Sequence, residues 1–203
     1  MSKGHGSTAL YVILEHYRFI SKKVLENKSQ SGGILGGHPD STQVPGVEAS
    51  TGSLGHGVVT AMGIALGLRL KKKKNRVISL IGDGECNEGT VWEMAAVTAN
   101  LSLGNLLVIM DHNESTTQIL KMPDMDKKWS SFGWEVYEID GHNEKEIRAA
   151  FKKIKFEFWG KPKIIIAHTI KGKGVSFTEG HGIWHHKVPT IEELALFRKE
   201  LYL

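Results

Sequence analysis

Two short segments carry the residue types and spacing that could do chemistry. An apolar, β-branched run, Val77–Ile81, leads into Gly82-Asp83-Gly84, and a second run, Leu106–Met110, leads into Asp111-His112-Asn113. Thirty residues separate Asp83 from Asn113. If the two runs are neighbouring parallel strands, these side chains stand side by side at the strand ends, where open α/β sheets bind ligands. A carboxylate and an amide oxygen are hard donors suited to Mg²⁺ or Ca²⁺. Mg²⁺ keeps few protein ligands and completes its shell with water and substrate phosphates. Glycines on both sides of Asp83 permit tight turns and close approach of a ligand. A helix beginning after Gly89 would turn its N-terminal amides toward an anion.

Other readings of the same segment fail on their own rules. An EF-hand loop needs glycine at the sixth position from Asp83, which is Glu88. No Walker A motif occurs, and GDGECNEG does not satisfy GxGxxG. GDG alone is a common turn, so the specific signal is the pair of strand ends. Cys86 lies in the same loop without a paired base, which leaves it no nucleophilic role.

The elements that must position these residues follow from periodicity. Residues 7–26 read as one helix with Ser7 or Thr8 as N-cap. Residues 29–52, rich in Gly, Pro and Ser, read as a long loop, and loops of that length in compact domains are usually functional or disordered. Leu54–Lys74 reads as a helix whose small residues (Gly57, Ala61, Gly63, Ala65, Gly67) allow close approach on several sides, so burial is expected. Strands are expected at 77–81, 106–110, 134–139 and 164–167, with helices at 90–99, 125–132, 144–156 and 191–201. Strands alternating with helices imply βαβ units: an α/β fold with a mostly parallel sheet covered on both faces.

Composition sets the outer bounds. At 203 residues, with about 150 per domain as a prior, the chain reads as one domain, 1–203. No apolar run reaches the roughly 20 residues of a membrane span, so no membrane partner is expected. The start, MSKGHGSTAL, lacks the basic-then-apolar layout of a secretory signal. The single cysteine excludes an intrachain disulfide, and a reducing, cytoplasmic setting fits. Net charge is +4, but the excess sits in Lys71–Lys74 and in the lysines of 152–173. Lys71–Lys74 follow an apolar helix, where cations suit the helix C-terminus. No nucleic-acid motif accompanies them, so no nucleic-acid partner is expected.

With these residues in place, the chain resembles the thiamine diphosphate-dependent transketolases, in the diphosphate-binding half of their fold. Gly82-Asp83-Gly84 and Asn113 match the superfamily's metal and diphosphate motif. Further matches are SKGHGS at 2–7, GHPD at 37–40, PGVEASTGSLGHG at 45–57, FGWEVYEIDGH at 132–142, IKGKGVSF at 170–177 and WHHKVP at 184–189. They run in the family's order over almost the whole chain. The resemblance implies that Asp83 and Asn113 ligate a divalent metal, Mg²⁺ or Ca²⁺, with the Ser115 carbonyl as a third ligand. It implies that Gly82, Gly84 and Gly52 meet thiamine diphosphate through their backbones and that Leu54 packs near its rings. His5, His38 and His185 match histidines lining the cofactor and substrate channel, and Glu88 an acid that communicates with the partner domain. His16, His56 and His142 are assigned no role, and Trp92, Trp129 and Trp134 are read as core.

The chain departs from the family pattern at three places. The family's longer N-terminal segment, with a further active-site histidine, is expected to be absent. The stretch after Asn113 reads Glu114-Ser115-Thr116-Thr117-Gln118-Ile119, without the family's glycines. The pyrimidine-binding domain, whose glutamate protonates the cofactor's aminopyrimidine, is expected to be absent too. The resemblance therefore implies a split transketolase subunit that moves a two-carbon ketol unit between sugar phosphates. It would be completed by a pyrimidine-binding chain in a dimer or α₂β₂ assembly, and inactive alone. The alternatives are an inactive cofactor-binding remnant or regulatory paralogue, and a subunit of a 2-oxoacid decarboxylase or dehydrogenase. The histidine motifs, which suit polyhydroxylated sugar phosphates, disfavour the latter.

Overall fold

The computed structural model describes residues 1–116, 120–180, 183–185 and 187–202, with the backbone alone at Ile183. Four parallel strands form one sheet in the order β1-β2-β4-β3. They are β1 (Val77–Gly82), β2 (Leu106–His112), β3 (Glu135–Asp140) and β4 (Lys163–His168). Register aligns Gly82 with Asp111, Asp111 with Ala167, and Ala167 with Ile139. All four carboxyl ends therefore finish on one edge, and the loops leaving them form a single surface.

Alternation along β2 and β4 divides the core. Leu106, Val108, Met110, Ile164 and Ile166 face one layer with Ile81. That layer is covered by α3 (His56–Leu70), α4 (Gly89–Asn100) and α5 (Met125–Ser131). Leu107, Ile165 and Ala167 face the other side, against Ala150 of α6 (Glu144–Lys153) and Ile154 just beyond it. Successive strand residues point to opposite faces, so near-continuous apolar runs mark a sheet buried on both. Trp129 and Trp134 are buried at the end of the first layer, with Trp92 packed on them.

The expected first helix is two. α1 (Ser7–His16) ends in a Schellman turn: Arg18 takes φ 63°, and Phe19 N–H donates to Leu14 C=O at 2.8 Å. α2 (Lys22–Glu26) then starts from Ser21, whose Oγ accepts from Val24 N–H. Apolar spacing continues through Phe19 and Ile20, so periodicity could not show the break. Neither Ser7 nor Thr8 caps α1. Its N-cap is Gly6, and Ser7 Oγ instead donates to Gly37 C=O at 2.7 Å.

A further correction concerns α3, while the helix expected at the chain's end is present. α3 buries Val58, Ala61, Ala65 and Arg69, but Thr60, Gly63 and Ile64 on its other side are exposed. Small residues permit close packing there, and no described element of this chain supplies it. The helix stops at Leu70, and Lys71–Lys74 lie past its C-terminus as charge placement expects. α7 (Ile191–Glu200) opens with a capping box in which Thr190 and Glu193 exchange side-chain-to-backbone hydrogen bonds. Phe197 of α7 stacks edge-on against Phe177 and Trp184, which fastens the helix to the loop after β4.

Candidate functional site

Asp83 follows β1 directly and Asn113 follows β2, so the parallel pairing sets both on one rim, and both are buried. Asp83 Oδ1 accepts from Gly84 N–H at 2.7 Å and Oδ2 from Glu114 N–H at 2.6 Å. The turn after β2 thus folds over the carboxylate of β1. Asn113 Oδ1 accepts from Ser115 N–H at 3.1 Å and from the Ser115 hydroxyl. Its amide nitrogen donates to Asp111 Oδ2 at 3.1 Å. A methyl group built on Gly84 would lie 2.8 Å from Thr116 Cγ2, so a side chain there would close the loop gap.

A second group of residues gathers from far apart in sequence. The His5 and His38 rings stack at 5.5 Å between centroids, and His185 meets His5 edge-on at 5.4 Å. Three motif histidines from three loops therefore form one cluster. α1 holds the His38 loop in place: buried Tyr11 donates its hydroxyl to the carbonyls of Gly36 and His38, at 3.2 and 3.0 Å. Asp40 closes the same loop by accepting from Thr42, Gln43 and Ser50, and these hydrogen bonds draw its pKa down to about 2. Gly52 takes φ 148° directly against His38, where a methyl group would lie 3.0 Å from the ring. That close approach is why this position needs glycine.

Charge is layered around the cluster. Lys171 Nζ lies 2.7 Å from His185 Nδ1. Burial and the neighbouring Lys3 lower the Lys171 pKa, while Asp83 and Asp111 oppose the shift. Burial, followed by the charges of His38, Lys171 and Lys3, lowers that of His5. His112 Nδ1 lies 3.6 Å from Asp83 Oδ2, and this contact raises the imidazole pKa against the effect of burial. The result sets the cationic Lys3 and Lys171 beside the histidines, close to the carboxylates of Asp83, Asp111 and Glu85. A metal–diphosphate group needs that order: carboxylate against the cation, positive charge against the phosphates.

The donor set suits a sparsely held hard cation. Among the described residues, no group of three His, Cys, Asp or Glu side chains could hold a metal. Asp83 and Asn113 supply two side-chain oxygens, and Ser115 stands beside them with a backbone carbonyl. Mg²⁺ takes its remaining ligands from water and phosphate in such sites.

The other anticipated residues fall as follows. Gly82 is buried at the end of β1. Leu54 is exposed just before α3. Glu88 is exposed at the start of α4, and a methyl group on Gly55 would lie 3.0 Å from its Cβ. Thr117–Ile119 of the departing stretch, and His186 of the WHHKVP match, lie outside the described residues. His142 Nε2 accepts from Ile170 N–H at 2.8 Å, tying the end of β3 to that of β4, and His56 Nδ1 contacts Ser53 Oγ at 3.1 Å.

Sequence reasoning missed five members: Lys3, Glu85, Asp111, Thr169 and Lys171. Lys3 forms an ion pair with Asp111, Lys171 meets His185, and Thr169 donates to Asp111. Glu85 is buried and accepts from Ser2 Oγ (2.6 Å), Gly82 N–H (2.9 Å) and Gly55 N–H (3.1 Å). A signal existed for Asp111, which stands two residues before Asn113 and so on the same side of an extended chain. Lys3 likewise precedes His5 by two residues in one glycine-flanked turn. For Glu85 none existed, because its partners come from three separate segments.

An all-parallel α/β sheet with these residues on its carboxyl rim defines the class: a cofactor-binding α/β domain. The chain belongs to the transketolase family, matching the model for the transketolase thiamine diphosphate binding domain over residues 1–202. It is 41% identical over 198 residues to an apulose-4-phosphate transketolase subunit of Phocaeicola vulgatus, covering 95% of this chain and 70% of that one. It is 37% identical over 199 residues to a 6-deoxy-6-sulfo-D-fructose transketolase subunit of Clostridium sp. (strain MSTE9), covering 96% and 72%. It superposes with TM-score 0.90 and 27% identity on a Pichia stipitis transketolase complexed with sedoheptulose 7-phosphate. That match covers 99% of this chain and 32% of the other, so the chain spans about a third of that enzyme.

Proposed function

We propose that this chain is the diphosphate- and metal-binding subunit of a two-chain transketolase that transfers a two-carbon ketol unit from a ketose phosphate to an aldose phosphate. The observation that carries the reading is the meeting of His5, His38 and His185, with Lys171 against His185 and Lys3 paired to Asp111, the hydrogen-bond partner of Asn113. Asp83, Asn113 and the Ser115 carbonyl hold Mg²⁺, which fastens the diphosphate. Gly82, Gly84 and Gly52 present backbone to the cofactor, and Leu54 packs beside its rings.

Thiamine diphosphate, when bound, supplies the electron sink that a ketol transfer requires. The chain's own residues do the rest. His5 has a lowered pKa, which keeps it neutral at neutral pH and able to accept a hydrogen bond from a sugar hydroxyl. Lys3 and Lys171 draw anionic groups toward the rim. His38 and His185 line the channel, and Glu88 faces the partner domain.

A second chain completes the site with the glutamate that protonates the aminopyrimidine. The relatives' designation as transketolase subunits supports this. Exposed apolar side chains at Val12, Ile13, Ile34, Leu54 and Ile64 support a covering partner, in a dimer or α₂β₂ assembly. Among the described residues no helix is long and apolar enough to cross a membrane, and buried, unreactive Cys86 suits a reducing cytoplasm.

The test is an assay with a ketose phosphate donor, an aldose phosphate acceptor, thiamine diphosphate and Mg²⁺. The expected result is turnover only when a pyrimidine-binding chain is added. Robust turnover by this chain alone refutes the two-chain reading.

A further inference from the structure

The geometry points to Asp111 as a positioning residue that decides which end of the Asn113 amide faces the metal site. This rests on Asp83 and Asn113 being the metal ligands. An asparagine amide is nearly symmetric in shape, and only one of its ends can ligate a cation. Here the choice is forced from both sides. Asp111 carries an acceptor-only carboxylate, so the end 3.1 Å from its Oδ2 must be the amino group. Ser115 N–H is a donor only, so the end 3.1 Å from it must be the oxygen. Oδ1 is thereby turned into the turn whose next amide, Glu114 N–H, binds Asp83 Oδ2.

Asp111 is itself anchored from separate segments. Its Oδ1 accepts from Thr169 Oγ1, just after β4, and its Oδ2 from Lys3 Nζ in the N-terminal segment. The N–H groups of Ser2 and Lys3 both donate to Leu80 C=O at 2.9 Å, which pins that segment along β1. Asp111 thus ties β2, the residue after β4 and the N-terminal segment to one amide. Partners that orient a metal ligand in this way typically matter 10–100-fold in affinity.

The experiment is titration calorimetry of the chain assembled with its pyrimidine-binding partner, with thiamine diphosphate at several Mg²⁺ concentrations and the metal-free melting temperature as folding control. Asp111→Ala is expected to weaken the apparent Mg²⁺ affinity by about tenfold or more. Asp111→Asn keeps one oxygen to accept from Asn113 and is expected to recover most of that loss. If alanine leaves the chain unfolded, Asp111→Leu, closer in volume, takes its place. A merely structural role predicts that the affinity of folded variants does not change. Wild-type affinity in the alanine or leucine variant, or an asparagine variant as weak as alanine, overturns the inference. A wild-type assembly that takes up no cofactor at any Mg²⁺ concentration overturns the metal-site reading, and this inference with it.

Discussion

At the scale of single residues, the site contains imidazoles whose pKa values are pushed in opposite directions. His5 is shifted down by burial first and by neighbouring positive charge second; His112 is shifted up, chiefly by its contact with Asp83. The consequences for stability are opposite. The unfolded value is about 6.5 for both. The His5 contribution is present above that pH and lost as pH falls through its lower folded value. The His112 contribution is complete below about pH 6.5 and lost as pH rises through its higher folded value. Following both imidazoles by NMR should show His5 titrating below and His112 above the ordinary value, and a reversed order would contradict the charge layering. His38 and His185 are both exposed, so alanine at either should change stability by no more than about 0.5 kcal/mol. Ketol transfer by the assembled enzyme should fall in each variant. A large fall in melting temperature would instead mark the histidine as structural packing.

Among the secondary-structure elements, Glu85 has the widest reach. Its buried carboxylate joins the N-terminal segment through Ser2, the end of β1 through Gly82, and the entry to α3 through Gly55. Glu85→Ala leaves two backbone N–H groups without their acceptor, at about 1–3 kcal/mol for each group that water cannot reach. Urea unfolding should show a midpoint lower by an amount equivalent to about 2–6 kcal/mol, with the slope unchanged. A variant within about 0.5 kcal/mol of wild type would mean that water replaces the carboxylate. α3 shows the limit of reasoning from one element. Its small residues announce close packing, yet one side remains exposed, and no described element of this chain packs there.

For the molecule as a whole, a ligand that binds only the folded state stabilises it by mass action, about 2.7 kcal/mol at a hundred times its Kd. Thiamine diphosphate with Mg²⁺ should therefore raise the melting temperature of the assembled protein, and a chelator should remove the gain. Asp83→Ala should show little gain at the same Mg²⁺ concentration, since the proposed metal site loses the one carboxylate ligand assigned to it. An equal rise with and without chelator would show that the diphosphate is held without metal.

The sequence alone determined the parallel α/β layout and the rim that carries Asp83 and Asn113. Alternation, apolar runs and glycine-bounded strand ends are local signals, and neighbouring parallel strands turn local position into a shared edge. It also singled out His5, His38 and His185, because each sits in a motif legible over a few residues. Tertiary structure alone decided that these three rings touch, since they arrive on loops up to 180 residues apart. It decided the break between α1 and α2, where a left-handed residue ends a helix that periodicity would have continued. It decided the roles of Glu85, Lys3 and Asp111 as well. A buried carboxylate is satisfied by whatever donors the fold delivers to it, and donors from distant segments leave no trace in the spacing of the chain.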